Sequence, residues 1–531
     1  MATVDRPTSA ATRMSVATFA SRGIGFVRVW VIAAVLGTTF LGNTYQASSS
    51  VSNVLFELLA AGALSAVLVP TFVQLLEARD HDGAERLAAG LLGLGLAVMG
   101  VVTVVGVAFA TPIARLLSTG VHDPKIQEQQ VALCTFFLRF FIPEVLLYVL
   151  GTIATAILYA KRHFVITAIA PIANTVLVVA SLVLFWLVAG PDAGLDLTLA
   201  EKLILAVGAF LGVAGFVGVP VVALMRTGFR FRPAFARPDA QLRRLLNLSA
   251  WAVLQHAGIG LLLGTSIVMG NRVEGGVVAY QFAFVAFLAA YAILAQPVLT
   301  TILPDISLDA NRGDTTDFSE RVRWALDRMA ILVLPVAAAY VALALPAMKV
   351  IAPSSSSPEL LAAALASLGV GLFVYSAFLL LARAFYALGD SRTPALVALG
   401  SALVGSAVMV VGVLAVNDGA ARVAMLGAGH SVAYLVGCVA LYALLRVRLG
   451  HPLFPHSFWR ALVVSTVLGG AAWAVERAVA PHARLETAGV LLVIGVLGLG
   501  LYVAMLRMLP KRSERRAAAL EPTDPDLAVE L

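Results

Sequence analysis

MSVATFASRGIGFVRVWVIAAVLGTTFLGNTYQASSSVSNVLFELLAAGALSAVLVPTFVQLLE, residues 14–77, is the stretch on which the fold turns. Two long apolar segments flank a turn at Gly37 to Thr44. The first contains Arg22 and Arg28 and no carboxylate. The second threads Ser48, Ser49, Ser50, Asn53 and Glu57 through an otherwise apolar run. Segments of this length cross the roughly 30 Å hydrocarbon core of a bilayer. A charge facing acyl chains there costs at least about 2.5 kcal/mol, so these side chains are expected to face protein or a wet cavity. The hairpin reads as one wall of a transport cavity for an anionic substrate.

The rest of the chain agrees with a membrane setting. Of its 531 residues, 60% are hydrophobic and 13% charged, and the mean hydropathy is +0.93. A soluble domain carries about 25% charged residues. Apolar runs of span length recur throughout, whereas a transmembrane barrel would show alternating segments of about ten residues. The fold class is therefore all-α and polytopic. The net charge of +7 sits in short loops between spans, which points to membrane topology and not to nucleic acid. No G-x-x-x-x-G-K-[ST] occurs, which argues against nucleotide hydrolysis. No HExxH, CxxC or His/Asp/Glu cluster suggests a catalytic metal, and no cofactor is expected. Cys134 and Cys438 lie far apart in separate spans. Arginines interrupt the first apolar segment, so no cleavable signal peptide is expected.

Fourteen spans are expected. Residues 1–13 form a polar tail, 14–225 hold six spans, and 226–245 form a basic connector with Arg226, Arg230, Arg232, Arg237, Arg243 and Arg244. Six more spans occupy 246–447, two lie in 448–507, and 508–531 form a second polar tail. With the N-terminus inside, about 26 Lys and Arg fall on the cytoplasmic side against about 8 opposite. Both termini are therefore expected in the cytoplasm. A weak repeat pairs Thr44-Tyr45-Gln46 with Ala279-Tyr280-Gln281, and Leu158-Tyr159-Ala160 with Phe385-Tyr386-Ala387. The offset is six spans, an even number, so the copies share one orientation. Two six-helix lobes related in this way enclose a central cavity and can alternate access by rocking.

SRGIGFVR at 21–28, SNVLFELLAAGALSAVLVPTF at 52–72, ILYAKRHFVITAIAPIANTVL at 157–177, ILPDIS at 302–307 and FYALGDSRTP at 385–394 give the sequence a recognisable order. It resembles the MurJ (MviN) lipid II flippase family of the multidrug/oligosaccharidyl-lipid/polysaccharide exporter superfamily. The resemblance implies a two-lobe, fourteen-span transporter in the bacterial cytoplasmic membrane, moving a lipid-linked peptidoglycan precursor outward through a cationic cavity. It also implies that Arg22 and Arg28 stand where the family has functional arginines on its first span. Other family positions are altered. Asn43 replaces an aspartate, Phe56 a second-span arginine, Ala61 the following acid and Val285 an eighth-span arginine.

Several residues are candidates for cargo contact. Guanidinium is the natural bidentate partner of phosphate oxygens, which favours Arg28, the deeper of the two. Arg22 can instead snorkel to the surface. Glu57 is read as a counter-ion for Arg28 before a proton carrier. Asn43, Ser49 and Asn53 can bond sugar hydroxyls or pack helices. Gln255 and His256 on the seventh span are possible cavity residues. Arg139 and Glu144, flanking Pro143, are read as structure within the first lobe, Asn174 after Pro171 as helix glue, and His430 as a packed histidine before a proton switch. Spans seven to twelve carry no interior Asp or Glu, which leaves no evident sodium site there. The expected substrate is a polyprenyl-pyrophosphate-linked sugar, and the other expected contacts are the bilayer and other cell-wall synthesis proteins. The alternatives are an exporter of the same fold for another lipid-linked or amphipathic cargo, and a non-transporting cell-wall scaffold.

Overall fold

Proline and glycine punctuate the helices of the computed structural model, which describes residues 23–56, 68–121, 123–161, 163–230, 232–235, 240–481 and 483–508. Gly37 turns the chain between the helices Gly23–Leu36 and Phe40–Phe56. Its φ of 65° suits glycine, and Thr39 Oγ1 then accepts Gly42 N at 3.2 Å. The turn is thus shorter than the sequence suggested, and the second helix resumes at Phe40. Pro143 separates Pro124–Phe141 from Glu144–Ala160, and Pro297 opens Gln296–Arg312 just after Gly276–Leu294 ends. A prolyl ring removes one donor and clashes with the preceding turn, so each long span breaks there.

No strand is present among the described residues, and eleven of their helices are long and apolar enough to cross a membrane. Pro358–Val370 and Leu372–Ala387, bent by 46°, make a twelfth if counted as one span. The first two of the fourteen expected spans run into residues outside the described set, which include Arg22 and Glu57. Span ends are fixed by polar caps. Asp123 accepts from Lys125 N ahead of Pro124, Thr198 and Glu201 form a reciprocal capping box, and Asp314 accepts from Thr316 N.

The packing divides into two compact units. The first comprises residues 1–289, 351–368 and 390–437. Its core joins Tyr45 to Phe137 and Phe141, whose rings meet edge-on near 6 Å. Tyr280, the counterpart of Tyr45 in the sequence repeat, is also fully buried. Its hydroxyl lies 2.6 Å from His430 Nε2, and Tyr434 meets the other ring nitrogen at 3.1 Å. His430 is thus a packed histidine with both nitrogens engaged. The second unit comprises residues 290–350, 369–389 and 438–531. There Asp309 is buried and held by Arg321 at 2.7 Å.

Candidate functional site

Arg28 sits half-buried on the first described helix. Its Nη1 donates to Asn174 Oδ1 at 2.9 Å, and its Nε is buried without a partner. Asn174 lies on Phe164–Ala189, one turn after Pro171, so a residue expected to glue helices instead orients the guanidinium. No carboxylate pairs with Arg28 among the described residues. A guanidinium has five donors in a planar fork, and much of that capacity is open to an anion.

The neighbourhood of Arg28 extends over two further helices. Arg28 and Glu144 both act electrostatically on the hydroxyls of Tyr45 and Tyr148, so four ionisable side chains share one sparsely solvated region. Glu144 accepts from Ser52 Oγ at 3.1 Å through Oε2. Arg139 is exposed, so the two charges flanking Pro143 do not face each other. Phe56 packs on Tyr148 at 4.3 Å between ring centroids and touches Phe216 edge-on.

The other expected cargo residues divide. Asn43 is buried with its amide committed to backbone: Nδ2 donates to Val273 O at 2.8 Å, and Oδ1 accepts Val277 N at 3.0 Å. It is a structural clasp, because those bonds satisfy the start of the Gly276–Leu294 helix. Ser49 is half-buried and bonds Gln46 O, and Asn53 is exposed. Gln255 is buried with Oε1 unpartnered, and His256 beside it is half-buried and engaged. Gly260, one turn beyond His256, faces Val54, which brings the helix Ala240–Gly270 against the Asn53 end of the 40–56 helix.

Asn43 belongs to a larger seam that joins the turns at one end of the first unit. Asn271 Nδ2 donates to Leu117 O at 2.7 Å, and Gln130 Nε2 bridges Phe40 O and Asn271 Oδ1. Trp30 Nε1 donates to Ile351 O, Ser356 Oγ to Ala33 O, and Ser357 N to Thr38 Oγ1. Sequence reasoning missed this seam: it offered Asn43 for cargo contact and gave no role to Trp30, Gln130, Asn271 or Ser356, whose partners lie far away in the chain.

A separate cavity of about 1390 Å³ lies within the second unit, among Thr315–Ala342, Phe458–Val479 and Arg484–Met508. Its walls are apolar, with Gly495 and Gly498 leaving open space. Arg328, Arg460 and Arg507 gather at one end, where Arg460 bonds Leu506 O and Asp327 accepts Ser457 N. Among the described residues no group of His, Cys, Asp and Glu is arranged to hold a metal ion.

Comparison with known proteins gives a consistent result. Residues 32–494 match the family described as Lipid II flippase MurJ. A probable lipid II flippase MurJ of Rhizobium tropici is 27% identical over 508 residues, covering 92% of this chain and 90% of the relative. A lipid II flippase MurJ of Burkholderia cenocepacia is 24% identical over 395 residues, covering 73% and 74% of the two chains. Among solved structures, a lipid II flippase MurJ in an inward closed conformation superposes with a TM-score of 0.72 at 16% identity. That superposition covers 93% of this chain and 98% of the other. An inward-facing multidrug resistance transporter of the MATE family and MOP superfamily gives 0.62 at 15% identity, over 83% and 98%.

Proposed function

The chain belongs to the MurJ lipid II flippase family, and from that premise we propose that it carries a polyprenyl-pyrophosphate-linked peptidoglycan precursor across the bacterial cytoplasmic membrane by alternating access. The observation that carries the reading is Arg28: a cation in an apolar helix, steered by Asn174 and without a carboxylate partner among the described residues. A buried cation is costly, and a diphosphate supplies the compensating charge that the protein withholds. Both termini lie in the cytoplasm under this reading, so the seam around Asn43 and Asn271 closes the outer end. Rocking of the two lobes would open it.

The apolar cavity of the second unit suits the polyprenyl tail, and its basic end suits an anionic lipid surface. A Cβ added at Gly498 meets no atom within 4 Å, and the cavity beyond it has room for a ring, so Gly498→Phe should fold normally while filling the slot. The expected result is weaker cargo binding, by roughly five- to tenfold for the loss of one well-buried apolar contact region. Thermal stability should stay within about 2 °C of the parent, since the ring enters open space and displaces no packed atom, the usual source of large losses.

Phe56 favours a second reading, in which the same machinery carries a different head group. The family resemblance places an arginine there, and the ring instead packs against Tyr148 and Phe216. Proteoliposomes holding the full chain, assayed with fluorescent lipid II, bare polyprenyl pyrophosphate and an unrelated lipid-linked oligosaccharide, discriminate the two. Transport of lipid II, together with rescue of a flippase-depleted bacterium, is expected. Transport of only the unrelated cargo selects the second reading, and no transport of any cargo leaves the scaffold.

A further inference from the structure

We propose that Glu144 and Ser52 form a proton-carrying site in the N-terminal half of the chain, which takes up and releases one proton in each transport cycle. The proposal rests on the transport reading for its role in a cycle, but the site itself is argued from geometry.

The long span from Pro124 to Ala160 is broken at Ile142 and Pro143, and Glu144 occupies the first turn of its second half. It is 3% exposed. Its Oε2 meets Ser52 Oγ, and its Oε1 is buried with no partner. The only other buried carboxylate among the described residues, Asp309, has Arg321 in ion-pair contact. Glu144 has no such cation among the described residues. An ionised carboxylate left alone in an apolar interior is strongly disfavoured, so this one either holds a proton or waits for a positive charge.

Ser52 makes both states accessible. It has one hydroxyl proton and two acceptors in reach, Ser49 O at 3.0 Å and Glu144 Oε2 at 3.1 Å. With the acid protonated, Glu144 donates to Ser52 Oγ and Ser52 donates to Ser49 O. With the acid ionised, Ser52 turns its proton to the carboxylate. The heavy atoms need not move, because a hydroxyl is donor and acceptor at once. The balance is simple: one proton from the aqueous phase adds to the carboxylate, and the same proton leaves to water on the other side.

The surroundings tie this proton to the anion site. The groups facing Glu144 are Tyr45 and Ser52 from the 40–56 helix, Tyr148 from its own helix, and Arg28 acting on both tyrosines from the 23–36 helix. Cys134 of the 124–141 helix bonds Ser48, one turn before Ser52. Helices 81–108, 164–189 and 199–226 bring no titratable side chain except near their ends, and the 69–77 helix has only Glu77 at its terminus. A diphosphate on Arg28 cancels the positive field that this guanidinium puts on the region and so favours the protonated acid. By linkage, cargo binding takes up a proton and proton release weakens the hold on cargo. In the second half the buried Asp309 is already held by Arg321.

Two measurements on the full chain in liposomes test the site. Infrared difference spectra across about pH 5 to 9, without cargo, should show a carboxyl C=O band that disappears in Glu144→Gln. In Ser52→Ala the midpoint should rise by about one pH unit, because the charge-assisted bond lost by the ionised form is stronger than the neutral bond lost by the acid. With the voltage clamped, flipping of fluorescent lipid II should respond to an imposed pH gradient in the parent and not in Glu144→Gln. A band that survives in Glu144→Gln, a midpoint unmoved in Ser52→Ala, or an unchanged gradient response in Glu144→Gln overturns the proposal. A parent protein that shows the band but moves no lipid II sinks the lipid II reading and keeps the proton site.

Discussion

Arg28→Ala is expected to lower lipid II flipping in proteoliposomes at least about tenfold, and toward a hundredfold. Charge-assisted hydrogen bonds contribute roughly 1.5 to 3 kcal/mol, and each 1.4 kcal/mol is a factor of ten. Arg28→Lys should fall between the two, because an ammonium keeps the charge and loses the fork that grips two oxygens together. Asn174→Ala removes the acceptor that aims Nη1 and should cost less, about three- to tenfold, by loosening the guanidinium without deleting it. The variants should be compared at equal amounts of folded, reconstituted protein. Full activity in Arg28→Ala would show that the cation is structural, and would remove the observation on which the transport reading stands.

The second large effect concerns the seam around the turns. Ser357 N donates to Thr38 Oγ1 at 2.9 Å, and both residues are half-buried, within reach of a small reagent. Cysteines at Thr38 and Ser357, joined by a short thiol-specific crosslinker, should arrest transport to below about a tenth of the parent rate. Reduction of the link should restore it. The physical reason is that alternating access needs the closed end to part, and a covalent bridge exceeds what a conformational equilibrium of a few kcal/mol can break. The native thiols provide a favourable background, since Cys134 is buried and Cys438 half-buried. Transport that continues with the crosslink complete would show that this end does not open during the cycle.

Much of this molecule was written in its hydrophobic pattern. Span-length apolar runs admit few structures, because a bilayer offers backbone groups no water and forces them into helices. The sequence also marked the turn at Gly37 and the paired tyrosines Tyr45 and Tyr280, whereas the breaks at Pro143 and Pro297 came from the structure. Arg28 was legible for a similar reason, since a charge in an apolar run is conspicuous wherever it points.

Partnerships were another matter. Asn43 had the same look as Ser49 and Asn53, yet its amide clasps the backbone at Val273 and Val277, more than two hundred residues away in the chain. Asn174 looked like ordinary helix glue and holds Arg28. Glu144 and Arg139 were read alike as structure within the first lobe, but one side chain turns inward to Ser52 and the other is exposed. Composition and periodicity determined that the chain crosses a membrane as helices. Which polar groups are spent on one another, and which retain free valence for cargo or a proton, was decided only when distant segments packed. A hydrogen bond depends on angstroms between atoms, and spacing along a sequence does not encode that distance.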